Sequence, residues 1–416
     1  MKNDHNIGKI FFKHYKVEGK IGEGSFGKIY ICNDINLQNI QENNNNIIEN
    51  NTNNNIFINN TNSSKFALKV EKKGYENLLS NEINILLHLK GFGIPSVISH
   101  GSNSVYNLLL MELLGETLEQ LFEKNNKKFS IKTVTLIALQ IINRLEYIHS
   151  KFIVHRDIKP ENFALGKDEK KNVIFIFDFG LSKKFYSPKT NSHIKFKINK
   201  QLTGTARYAS INALKGGEQS RKDDLESLGY MLIYFLRGNL PWQGLKIDRK
   251  DDRYKKILEV KMNTSCEELC KDFPNEFVEF IKYTRNLDFY AKPDYNYLRG
   301  LMMNLLEKFG GKYDYWFDWN KEKPNVKKIY VEEDNKYFNC GNGDGIEFIK
   351  NNNNGIKNNH DGNNINNDFV IVENTNNNNI ILNNELNLNN KNNNIDKKDD
   401  KNKKKKHKIL KKCCIF

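Results

Sequence analysis

The chain has no run of about 20 apolar residues and no secretory leader, so it offers no candidate for a membrane-spanning helix. Cysteine is scarce. The six present (Cys32, Cys266, Cys270, Cys340, Cys413 and Cys414) form no paired framework, which argues against a disulfide-built secreted domain. Cys266 and Cys270 have no accompanying His or Cys pair, so a zinc site is not expected. Reduced thiols in a soluble cytoplasmic chain are the simpler reading. Apolar residues make up only 38%, but asparagine tracts dilute that figure and it implies no weak core. Acidic residues are in deficit, 50 against 65 basic, for a net charge of +15. That excess raises nucleic-acid binding as a class. The charge is spread along the chain without an aromatic-basic recognition motif, so nucleic acid is not the expected partner.

What the chain has instead is an ordered series of short motifs. His155-Arg156-Asp157-Ile158-Lys159-Pro160-Glu161-Asn162 is followed by Asp178-Phe179-Gly180. Each residue type meets one demand of phosphoryl transfer. Asp157 can take a proton from an attacking hydroxyl, and Lys159 can neutralise charge on the group in flight. Asn162 and Asp178 can supply oxygens to Mg²⁺ bridging the ATP phosphates. Either tripeptide alone is weak; order and spacing make the series specific.

Upstream lies Ile21-Gly22-Glu23-Gly24-Ser25-Phe26-Gly27-Lys28-Ile29-Tyr30. A dinucleotide fingerprint of this form needs a helix immediately afterwards. Here β-branched and aromatic residues follow, which predicts a hairpin whose glycines let the backbone approach phosphates, with Phe26 at the tip. The next strand, Lys65-Phe66-Ala67-Leu68-Lys69-Val70-Glu71, puts Lys69 where a nucleotide-anchoring lysine belongs and Ala67 where a small residue packs on adenine. Such a lysine needs a carboxylate partner. Helical spacing over residues 78–89 favours Glu82, with Glu76 the rival.

Together with 202–212 (Leu-Thr-Gly-Thr-Ala-Arg-Tyr-Ala-Ser-Ile-Asn), these motifs make the chain resemble a casein kinase I family protein kinase. Further signatures are Glu218-Gln219-Ser220-Arg221-Lys222-Asp223-Asp224-Leu225-Glu226, Leu240-Pro241-Trp242-Gln243-Gly244, Lys292-Pro293-Asp294-Tyr295 and Tyr313-Asp314-Tyr315-Trp316-Phe317-Asp318-Trp319-Asn320. The resemblance implies an α+β, bilobal protein kinase fold. A small antiparallel β lobe with one main helix precedes a larger, mostly α-helical lobe, and ATP lies between them. It further implies that Met111 limits access behind adenine while backbone groups of Glu112 and Leu114 bind its edge. Ile21, Gly22, Glu23, Gly24, Ser25, Phe26, Gly27 and Ile29 complete the expected ATP site. No residue of the catalytic series is missing, which disfavours a pseudokinase scaffold. The usual Ala-Pro-Glu ending is absent, as in the family, and the acid that pairs with Arg299 is left open.

Substrate preference follows from charge. The family holds anions with basic residues, here Arg156, Lys183 and Lys200 near the catalytic loop, and Arg207, Lys250 and Arg253 beside the peptide groove. Charge-assisted hydrogen bonds to phosphate would favour acidic or phosphate-primed protein substrates. Arg253 stands where the family usually has Lys, and the two cations are not equivalent donors.

These signals divide the chain into an N-terminal arm (1–14), a kinase domain (15–320) interrupted by a disordered Asn-rich insertion (36–64), an Asn-rich low-complexity region (321–400) and a polybasic tail (401–416). An insertion in a surface hairpin is tolerable because loop-closure entropy grows slowly with length. The tail carries eight lysines before Cys413-Cys414-Ile415-Phe416, which fits a prenylation signal, with Cys413 or Cys414 alternatively palmitoylated. A lipid with a polybasic stretch makes a two-signal membrane anchor, each Lys adding roughly 1 kcal/mol near an anionic leaflet. A nuclear localisation signal is the alternative.

Overall fold

Successive side chains along a strand face opposite ways, and in β4 (Lys65–Lys72) that alternation separates core from cleft. Leu68 and Val70 join Tyr15, Val17, Tyr30 and Leu110 in a small apolar core on one side of the sheet. Ala67 and Lys69 point to the other side. The computed structural model describes residues 4–24, 27–36, 65–74, 77–246, 249–324 and 327–335. Ser25, Phe26, Glu76, most of the 36–64 insertion and the expectations for 336–416, including Cys413 and Cys414, lie outside them. All described residues belong to one unit, 1–342.

The first lobe is a six-stranded antiparallel sheet. It adds β1 (Ile10–Phe11), β2 (Tyr15–Gly24), β3 (Gly27–Asp34), β5 (Val97–Ser102) and β6 (Tyr106–Glu112), in the order β1-β2-β3-β4-β6-β5. Gly24 pairs with Gly27, so the glycine motif closes a hairpin as its β-branched sequel predicts. A Cβ on Gly27 would stand 2.2 Å from the Val70 carbonyl oxygen, so only glycine fits there. One helix accompanies the sheet, α1 (Leu78–His88), which buries Leu79, Ile83 and Leu86 at helical spacing.

Helices build the second lobe. They are α2 (Leu118–Lys124), α3 (Ile131–Ser150), α4 (Ile211–Leu214), α5 (Arg221–Arg237), α6 (Lys250–Asn263), α7 (Cys266–Leu269), α8 (Asn275–Asn286), α9 (Tyr295–Lys308) and α10 (Lys328–Asn335). Short strands, β7 (Ile153–Val154), β8 (Phe163–Leu165), β9 (Ile174–Ile176) and β10 (Lys183–Lys184), carry the segments that enter the cleft. Ser130 caps α3, its hydroxyl accepting from the Thr133 N–H at 3.2 Å. Buried α3 packs on α5 and α9. Gly238, at φ 86°, ends α5 in the left-handed conformation that glycine adopts without strain. This is the bilobal α+β architecture that the resemblance implies. No helix among the described residues is long and apolar enough to cross a membrane.

The ordered chain does not stop at Asn320, where the sequence ends the kinase domain. Asp334 of α10 is fully buried and meets Arg144 of α3 at 2.7 Å. The Tyr313 and Tyr315 hydroxyls also donate to Asp334, at 3.1 and 2.7 Å. An Asn-rich surrounding hides this helix from compositional reading.

Candidate active site

Three elements bring the cleft's charged groups together. Lys69 on β4 reaches Glu82 of α1 at 2.5 Å and Asp178, just after β9, at 2.7 Å. Burial opposes the Lys69 charge, but Asp178 and Glu82 outweigh it and hold its pKa above the ordinary lysine value. Burial raises Glu82, with Lys69 offsetting part of the rise. Asp178 is half-buried, and although desolvation raises its carboxyl, Lys69 carries it below the usual carboxylate range. Glu71, the other acid near in sequence, instead accepts from the Leu79 N–H at 3.2 Å and from Asn107 at 3.1 Å.

The segment 155–162 is held in an unfavourable backbone shape. Arg156 has φ 69° and Asp178 has φ 64°, both left-handed without being glycine. Such conformations cost about 1–3 kcal/mol each and persist only where the surroundings over-determine them. Asp224 of α5 supplies that constraint for Arg156. Its carboxylate accepts from the His155 N–H at 2.7 Å and the Arg156 N–H at 2.8 Å, while His149 bonds it at 3.0 Å. Buried Phe179 lies edge-on to His155, with ring centroids 5.1 Å apart.

Asp157 receives the convergence. The Thr205 hydroxyl donates to its Oδ1 at 2.8 Å, and the Lys159 ammonium lies 2.8 Å from Oδ2. Lys159 also reaches Thr205 Oγ1 at 3.3 Å. The Asn162 amide nitrogen donates to the Asp157 carbonyl at 2.8 Å and to Oδ2 at 3.2 Å, which turns its oxygen away from Asp157. That oxygen and the Asp178 carboxylate are hard donors of the kind Mg²⁺ takes. Gly204, at φ 98°, lets the neighbouring segment come this close. A Cβ there would sit 2.3 Å from the Arg156 carbonyl oxygen.

Ala67 pairs with Met111 across β4 and β6, and both are buried. The Glu112 N–H donates to the Ser96 carbonyl at 2.9 Å, so only its carbonyl remains a candidate for an adenine edge. Leu114 follows β6 half-buried, Ile29 is half-buried, and Ile21 is exposed on the glycine hairpin. Glu23 pairs with Lys20 on the same hairpin.

The first basic set converges on an acid that sequence reasoning quoted without a role. Lys183 and Lys200 pair with the two oxygens of buried Glu218 at 2.9 and 3.5 Å. Burial raises the Glu218 carboxyl, and the lysines more than reverse that. Arg156 donates from Nε to the Leu181 carbonyl at 2.7 Å. In the second set, the Arg207 guanidinium lies 5.7 Å from both the Tyr208 and Tyr234 ring centres. Lys250 and Arg253 stand in the first turn of α6, half-buried and exposed respectively. Arg299 meets Glu146 of α3 at 2.5 Å, the acid that the sequence left open.

A family model described as a protein kinase domain matches residues 51–296. The matched span contains Lys69, Glu82, Asp157, Asn162 and Asp178 and begins after the glycine hairpin.

Proposed function

The chain belongs to the protein kinase family, and on that premise we propose that it is a serine/threonine kinase of casein kinase I type. In this reading it moves the γ-phosphate of ATP to Ser or Thr side chains of acidic or phosphate-primed proteins. The observation that carries it is the Thr205 hydroxyl donating to Asp157 Oδ1 at 2.8 Å. A side-chain alcohol there makes the hydrogen bond that an acceptor Ser or Thr needs before giving up its proton.

The remaining groups take roles around that contact. Lys69, steadied by Glu82, orients the ATP phosphates, and the Gly22–Gly27 hairpin lies over them. Asn162 and Asp178 are the residues that would hold Mg²⁺, which when bound would screen the charge of the phosphates. Lys159, 2.8 Å from Asp157, supplies a positive charge beside the attacking oxygen. Asp157 accepts the alcohol's proton as the oxygen attacks the γ-phosphorus and the bond to ADP breaks.

Arg207, Lys250 and Arg253 read an anionic group on the substrate, and Arg156, Lys183 and Lys200 form a second anion site. The 202–212 signature supports this assignment. A peptide carrying phosphoserine three residues before its acceptor serine should be phosphorylated faster than the unphosphorylated peptide. Arg207→Ala should lower that preference at least about fivefold, the worth of one charge-assisted contact; an unaltered preference contradicts the assignment. The C-terminal tail reading, lipid at Cys413 or Cys414 beside a lysine cluster, belongs to the same proposal. Deleting 413–416 should release a fluorescent fusion from membranes, and persistent membrane attachment would exclude lipid anchoring.

A further inference from the structure

Lys261, near the end of α6, is a fully buried lysine that the catalytic series does not use. Its Nζ donates to the Ala209 carbonyl at 2.5 Å and the Ala206 carbonyl at 3.1 Å. It also lies 4.6 Å from the centre of the Tyr230 ring and 4.7 Å from that of Trp242. Among the described residues no ion pair includes it. Glu226, the acid that acts on it, is committed elsewhere: its Oε1 accepts from the Tyr230 hydroxyl at 2.6 Å and from the Ile211 N–H at 2.9 Å. Trp242 completes the arrangement by donating its indole N–H to the Arg207 carbonyl at 2.7 Å. Three carbonyls of the 206–209 stretch are thus held by two side chains from outside it.

Burying an amine is costly, and packing alone would be better served by an apolar side chain. What the amine adds is two directed hydrogen bonds to main-chain carbonyls, while its burial pushes its pKa well below the ordinary lysine value. Both bonds go to main chain directly after Thr205, whose hydroxyl meets Asp157, and around Arg207. The Tyr208 and Ala209 N–H groups return to the Thr205 carbonyl at 3.0 Å, so the stretch is one small hydrogen-bonded unit. Lys261 joins that unit to the helix whose first turn carries Lys250 and Arg253.

We propose that Lys261, with Trp242, is a positioning residue for the protein substrate. It fixes the main chain of 206–209 so that Thr205 stays on Asp157 and Arg207 stays directed at the substrate's anionic group. The proposal deepens the function above and rests on its reading of Asp157 and Arg207.

The test compares full-length wild type with Lys261→Met, which keeps side-chain length and removes the donors. Steady-state kinetics would use ATP and the primed and unprimed serine peptides. Lys261→Met should raise the peptide KM at least tenfold, change the ATP KM less than twofold, and reduce the preference for primed peptide. An unchanged peptide KM, whatever the melting temperature does, overturns the proposal and leaves Lys261 a packing residue. If Lys261→Met does not fold, Trp242→Phe keeps an aromatic ring beside Lys261 and removes the bond to the Arg207 carbonyl. It should raise the peptide KM about threefold, and no rise would again overturn the proposal. Amide exchange at Tyr208 and Ala209 gives a readout apart from turnover: it should quicken in either variant, and equal rates count against the idea. A wild type without preference for primed peptide would contradict the anion role of Arg207, while the peptide KM of Lys261→Met still decides the role of Lys261.

Discussion

Lys69 stands between two carboxylates, Glu82 at 2.5 Å and Asp178 at 2.7 Å, and holds both in the cleft. Without its charge, buried Glu82 and half-buried Asp178 would lose the cation between them, and one would take up a proton. Lys69→Met should therefore lower kcat/KM for ATP by about 100-fold or more, the scale seen when one electrostatic group is removed. Nucleotide titration and phosphoryl-transfer rates check this; a loss below about threefold would mean that the lysine does not orient the phosphates. The residue-level chemistry is legible in sequence because its motifs are local. His155 to Asn162 and Asp178 to Gly180 each carry their own spacing, and β4's alternation sends Lys69 and Ala67 to one face.

Elements held by distant partners are far less legible. Nothing in the order of residues announces that Arg144 and Asp334 meet, because 190 positions separate them and asparagine-rich composition follows. The contact places a buried guanidinium and a buried carboxylate at 2.7 Å, with Phe92 under the guanidinium at 4.7 Å and Tyr330 stacked on Phe92. Removing one member of such a pair strands the other charge, at a cost of about 3–5 kcal/mol. Asp334→Ala should lose that much stability in chemical denaturation, and a chain ended at Asn320 should lose at least as much. Equal unfolding midpoints for these chains and the wild type would show that α10 contributes nothing to the fold. Glu218 and Lys261 were hidden for the same reason: a lone acid or lysine in sequence reads as a solvated surface group until its partners are placed.

At the scale of the whole molecule, the two lobes serve one geometry. The sheet lobe presents Lys69 and the glycine hairpin, while the helical lobe uses Asp224 to hold Arg156 in a left-handed turn beside Asp157. The family resemblance implies the bilobal fold, and the structure bears it out in strands such as Lys65–Lys72 and helices such as Ile131–Ser150. Beyond Asn320, low-complexity composition masks helix periodicity, so α10 is not legible in the sequence. In the proposed reaction, Asp157 draws the proton from an acceptor alcohol as the phosphoryl group arrives. The most direct measurement is the rate of radiolabel transfer from γ-labelled ATP to a serine peptide by wild type and by Asp157→Asn, with nucleotide binding measured in parallel. Asp157→Asn should retain nucleotide binding and transfer the phosphoryl group about 100-fold more slowly or worse. Transfer by Asp157→Asn as fast as by wild type would contradict that role for Asp157.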